Sequence, residues 1–160
     1  MKPLLANYRE SSRRGTATVE FAIIAPVFLT LLLGLLEATK LFEIHGLMAQ
    51  AARDGARMGA MDRADWVANG QRSNDKIIRD IKNNLAAAGM DPDKVEVAIE
   101  IPNQPGDEFD LDDPANDLGL FQVRISIPYG DVSSLQIPGN SDYSLSSAVV
   151  FRNTRSTIVN

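Results

Sequence analysis

Cysteine is absent from this chain, histidine occurs once, and aromatic residues make up only 6% of it. Without thiols there is no disulfide scaffold, no thiolate zinc site and no cysteine nucleophile. A single imidazole, His45, leaves little for histidine acid–base or metal chemistry. Positive charge is also in short supply. The net charge of −5 excludes a general affinity for nucleic acid. No nucleophile–base pair is discernible, so the reading is of a protein that is not an enzyme.

What the chain does have is an uneven distribution of charge and apolar residues. Residues 1–14 carry Lys2, Arg9, Arg13 and Arg14 against Glu10 alone, and the acidic residues concentrate later, most densely from Asp107 to Asp117. Between Gly15 and Leu36 the only charge is Glu20, and Phe21–Leu36 reads FAIIAPVFLTLLLGLL. A helix from Val19 to Leu36 would span roughly 27 Å, close to the hydrocarbon thickness of a bilayer. The run is apolar on every face, unlike a surface helix of a soluble domain. A basic start and an acidic body orient such a segment with its N-terminus in the cytoplasm. The residues after Leu36, EATKLFEIHG, contain no small-residue cleavage pattern of a secretory signal, so the segment is expected to stay attached.

Two residues interrupt the apolar run. Pro26 lacks a backbone N–H and is expected to kink the helix. Glu20 places a carboxylate one turn into the apolar stretch, at a cost on the order of 2–3 kcal/mol unless it reaches the headgroups or finds a cation.

The string Arg13-Arg14-Gly15-Thr16-Ala17-Thr18-Val19-Glu20-Phe21, with the apolar run after it, resembles the processing signal of type IV pilin-like proteins. More narrowly it is similar to the TadE-like minor pilins, or pseudopilins, of tight-adherence pili. Pro26 and the Ala/Arg-rich stretch Met48–Ala60 add to that resemblance, which covers roughly Arg13 to Met61. It implies a prepilin peptidase that cuts at Gly15–Thr16 and removes a basic leader, residues 1–15, with Arg13 and Arg14 holding the bond at the membrane edge. It also implies other pilin subunits and a pilus assembly platform as partners, in the bacterial inner membrane and in an extracellular pilus. Glu20, beside Phe21, would compensate the new Thr16 amine of a neighbouring subunit, because an isolated charge in an apolar bundle is costly. Mature pilins often begin with a bulky hydrophobic residue. This chain would begin Thr-Ala-Thr, which leaves an uncleaved single-pass anchor as the alternative.

Past the membrane segment (residues 16–36), Leu41, Ile44, Met48, Ala51, Gly55 and Met58 recur every three or four residues, which predicts a continuing amphipathic helix over 37–62. Its seam becomes small toward the end, at Ala51, Ala52, Gly55 and Gly59, so a neighbour can approach the backbone there.

Residues 63–160 read as a small extracytoplasmic α+β domain of one helix and an antiparallel sheet of three to four strands. Ser73 is placed as the N-cap of a helix over about 74–88, ended by Gly89 and Pro92. Alternation predicts strands over Val95–Ile101 and Phe121–Ile127, and a Val/Phe-rich third over about Tyr143–Arg152. Between the first two lies an acidic loop. Its Asp107, Asp110 and Asp112 are candidate calcium ligands, although the spacing is not that of an EF-hand and a solvated loop is the plainer reading.

Overall fold

The computed structural model describes the backbone of residues 8–133 and 143–154, with side chains from Gly15 onward within them. The chain divides into two units, Met1–Lys40 and Leu41–Asn160. One helix, α1 (Tyr8–Gly59), contributes to both, and it begins earlier than its apolar pattern predicts.

In the first unit α1 exposes apolar side chains all round. Phe21, Ile23, Val27, Leu31 and Leu36 are each more than 60% exposed, although they lie on different sides of the helix. Pro26 sits within the helical span. The Thr30 hydroxyl donates to the Pro26 carbonyl at 2.9 Å, and Thr39 donates to Leu35 in the same way. Both hydroxyls are thus satisfied within the helix, as an apolar surrounding requires.

The second unit is α+β, as its pattern predicts. Leu41–Gly59 of α1 is followed by a short helix α2 (Ala64–Ala68), α3 (Ser73–Ala87), strand β1 (Glu96–Glu100), a 3-10 turn at Pro114–Asn116, strand β2 (Leu120–Pro128), a single turn α4 (Tyr129–Val132) and strand β3 (Ser144–Arg152). The described sheet has three strands in the order β1-β2-β3, antiparallel throughout, with Val97 opposite Ile125 and Val123 opposite Val149. Odd-numbered strand residues share one face, since side chains alternate along a strand. Val97, Ile99, Phe121, Val123, Ile125 and Ile127 form the sheet's part of the core. Ile77, Ile81 and Leu85 of α3 meet them, together with Met48, Ala51, Ala52 and Ala56 of α1.

The small residues of α1 are therefore filled by the chain's own body. A Cβ added at Gly55 would collide with the Ile81 side chain, with Cγ1 only 2.9 Å away, and one at Gly59 would lie 2.8 Å from Phe121 Cζ. Glycine at these two positions lets α1 approach α3 and β2 more closely than any other residue allows. Leu41, Ile44 and Met58 of the expected seam are partly buried against the same core.

Two local expectations are corrected. Ser73 is the first residue of α3 and not its cap. The adjoining Arg72 occupies the cap position without a side-chain bond. Asp112, far along the chain, accepts from the Ser73 amide at 2.8 Å and from the Ser73 hydroxyl at 2.6 Å. The other correction concerns β1, where polar/apolar alternation fails at its end. Glu100 is buried and Ile101 is exposed. The Glu100 carboxylate lies 2.5 Å from Arg124 Nε on β2 and accepts from the Gly106 amide at 2.9 Å, so partners compensate its burial. The far end of α3 behaves as expected. Gly89 has φ +90° and donates to Ala86, while Met90 donates to Leu85, a Schellman closure.

Candidate functional site

The candidate site is the N-terminal part of α1. Gly15 and Thr16 lie inside the helix, so the bond between them is helical and not extended. A peptidase that takes extended backbone must unwind a turn here. Glycine lowers the cost, because it is about 1 kcal/mol less favourable than alanine within a helix. Arg13 and Arg14 lie in the helical span, but their side chains are outside the described residues.

Glu20 follows Thr16 by one helical turn, which puts the two on one side of α1. The carboxylate is exposed, and among the described residues it makes no ion pair. Phe21 is 71% exposed beside it. Glu20 is the one charged side chain between Gly15 and Leu36, at the start of a surface that is otherwise largely apolar. Helical spacing also places Thr18, Ala22, Pro26, Thr30, Gly34 and Ala38 four residues apart along one ridge. That ridge escapes a reading based on hydrophobicity, because its members differ in polarity and share only small size. Nothing lies within contact of the position a Cβ would take at Gly34.

α1 is long and apolar enough to cross a membrane, and none of its most apolar stretch is buried. A core helix of a soluble protein would be covered, and this one is not. Residues 15–57 match the family model for TadE-like protein. The matched segment thus starts at Gly15 and ends two residues short of the α1 C-terminus, taking in the exposed apolar stretch and the small-residue seam as far as Gly55. No curated protein and no solved structure matches the chain.

The acidic loop lies apart from this segment in sequence, and several of its carboxylates have protein partners. Asp112 holds Ser73, as described, and Asp110 accepts from the Asp112 amide at 2.9 Å. Arg72 reaches Glu108 at 3.2 Å and Asp110 at 3.8 Å. Asn74 Nδ2 donates to the Phe109 carbonyl at 2.8 Å, and the Leu111 amide donates to Asn74 Oδ1 at 3.2 Å. For Asp107 the observed role is its carbonyl, which accepts from the Ile101 amide at 2.9 Å. Among the described residues no group of three carboxylates or imidazoles is placed to hold a metal ion. His45 is exposed on α1.

One buried charge has no counterpart in the pattern reading. Arg63 is 2% exposed. Its guanidinium donates to the Gly59 carbonyl at the end of α1, to Leu111 O at 2.9 Å and to Asn153 Oδ1 at 3.0 Å. Asn153 is itself fully buried and donates to Leu111 O and Asn116 O. This arginine therefore ties the end of α1, the acidic loop and the end of β3 together.

Proposed function

We propose that the chain is a pilin-like subunit, a pseudopilin, cut by a prepilin peptidase after Gly15 and taking part in assembly of a Tad-type pilus or secretion apparatus. The observation that carries this reading is the TadE-like match over residues 15–57, beginning at the residue where cleavage would fall. The exposed apolar helix supports it, because such a surface needs lipid or other apolar helices around it. On this reading the segment spans the bacterial inner membrane with its N-terminus cytoplasmic and residues 63–160 outside. Cleavage would leave a Thr16 amine, and Glu20 of a neighbouring subunit would neutralise it within the bundle. The small ridge through Ala22, Thr30 and Gly34 suits close packing of membrane helices, where small residues let backbones approach. The role is structural, with assembly as its output.

The experiment is to express the chain with and without its cognate prepilin peptidase and to determine the membrane-fraction N-terminus by mass spectrometry. A start at Thr16 that depends on the peptidase and is lost in Gly15→Leu is the expected result. An intact leader in the presence of active peptidase overturns the processing step and leaves an uncleaved single-pass anchor displaying the small domain.

A further inference from the structure

The two edges of the sheet differ in how they are protected. β1 has five residues, two of them glutamates, and part of its free edge is taken by the chain itself. Phe109 N donates to Ile99 O at 3.0 Å, and Ile101 N donates to Asp107 O at 2.9 Å. β3 has nine residues, and Ser144–Phe151 contains no charge, no proline and no glycine. Natural edge strands are usually guarded by one of these or by brevity.

The hydrogen-bond phase of β3 is given by its ends. Tyr129 N donates to Tyr143 O and Asn153 N donates to Gly119 O, both at 2.8 Å. In an antiparallel pair the bonded positions alternate, so odd-numbered residues from 143 to 153 bond to β2. The even-numbered residues Ser144, Ser146, Ala148, Val150 and Arg152 therefore turn their N–H and C=O groups outward. All five are exposed, and among the described residues none of these outward groups has a partner. The set is symmetric about Ala148.

We infer that β3 is a docking edge for β3 of a second copy of this chain, antiparallel about a two-fold axis at Ala148. In that register Ala148 faces Ala148, Ser146 faces Val150 and Ser144 faces Arg152. Every outward group is satisfied, with about ten backbone hydrogen bonds across the junction. Arg152, the one charge on the strand, sits opposite a serine and far from its own copy, so no like charges meet. Small side chains at Ser146 and Ala148 leave the approach open. On the inner face Leu145, Val149 and Phe151 are only partly buried, and a neighbouring strand would cover them further. Such a contact is isologous and closes at two copies. It is independent of whether residues 1–15 are removed.

The native chain has no cysteine, so single-cysteine variants report cleanly. The full chain in lipid nanodiscs would carry Ala148→Cys on β3 or, as the control, Ala98→Cys on the outer face of β1. A bonded antiparallel pair holds its Cα atoms about 5.5 Å apart, within disulfide range. Mild oxidation is expected to give covalent dimer for Ala148→Cys and not for Ala98→Cys. Ala148→Lys, which places two ammonium groups across the axis, is expected to lower the noncovalent dimer fraction about tenfold while leaving the fold intact. Hydrogen exchange would show the Ser146, Ala148 and Val150 amides protected in the dimer and fast in the monomer. Equal cross-linking at 98 and 148, or slow exchange of those amides in the monomer, overturns the proposal, since the second result means that the chain covers this edge itself.

Discussion

Arg63 shows what a single residue does in this fold. A buried guanidinium carries a large desolvation cost and is retained only where its donors are used. Here they serve the Gly59 carbonyl at the end of α1, Leu111 and Asn153. Lysine cannot reproduce this, because it lacks the planar fork that reaches several acceptors at once. Arg63→Met is expected to cost about 3 kcal/mol, with Arg63→Lys recovering little, because buried acceptors are left unpaired. Urea titration of the full chain in detergent micelles, followed by fluorescence of Trp66, its one tryptophan, measures this. Asp112 makes a second case at the same scale. Its two oxygens cap α3 at Ser73, so Asp112→Ala is expected to cost about 1–2 kcal/mol. The loss should be the same in calcium and in chelator. A calcium-dependent loss would return the carboxylates to the role of metal ligands. Glu20 is a third case: Glu20→Gln is expected to leave membrane insertion and body stability unchanged and to abolish assembly. Normal pilus or secretion output from that variant would sink the amine–carboxylate pairing.

At the scale of elements, α1 serves two surroundings with two kinds of surface. From Phe21 to Leu36 it is apolar on all sides, and from Leu41 it buries one narrow seam. The glycines distinguish the two uses. Gly46 has nothing within contact of a Cβ, whereas Gly59 meets Phe121. Gly46→Ala is therefore expected to stabilise the helix by up to about 1 kcal/mol, through helix propensity. Gly59→Ala is expected to destabilise the body by about 1–3 kcal/mol, because the Phe121 ring is fully buried and has nowhere to move. Opposite shifts of the same unfolding midpoint check the pair. The seam was legible in advance because 3.6-residue periodicity is a local property. That it packs on α3 and β2 was not fixed by the pattern, since a small-residue groove accepts the chain's own body or another helix.

Across the whole molecule, the readable parts are those set by neighbours in sequence. The apolar run, the alternation of β2 and the Gly89 stop of α3 each follow from residues a few positions apart. The structure places β2 and the end of α3 within a residue of the pattern, while α1 extends back beyond the apolar run to Tyr8. The Gly15–Glu20 spacing belongs here too, and it lies within the residues 15–57 that match the TadE-like family model. What the chain order could not provide were the long-range polar contacts. Asp112 reads as a loop carboxylate until α3 is brought against it, and Arg63 reads as a surface charge until Leu111 and Asn153 close over it. Glu100 reads as the exposed side of a strand until Arg124 stands beside it. The outward edge of β3 likewise follows from pairing phase, which depends on where β2 lies. The sequence by itself determined which segments are helix, strand and apolar span, because those choices rest on periodicity and local backbone preference. Only the tertiary structure decided which polar groups are buried and which backbone groups of β3 turn away from β2, because hydrogen-bond partners distant in the chain become known only once it has folded.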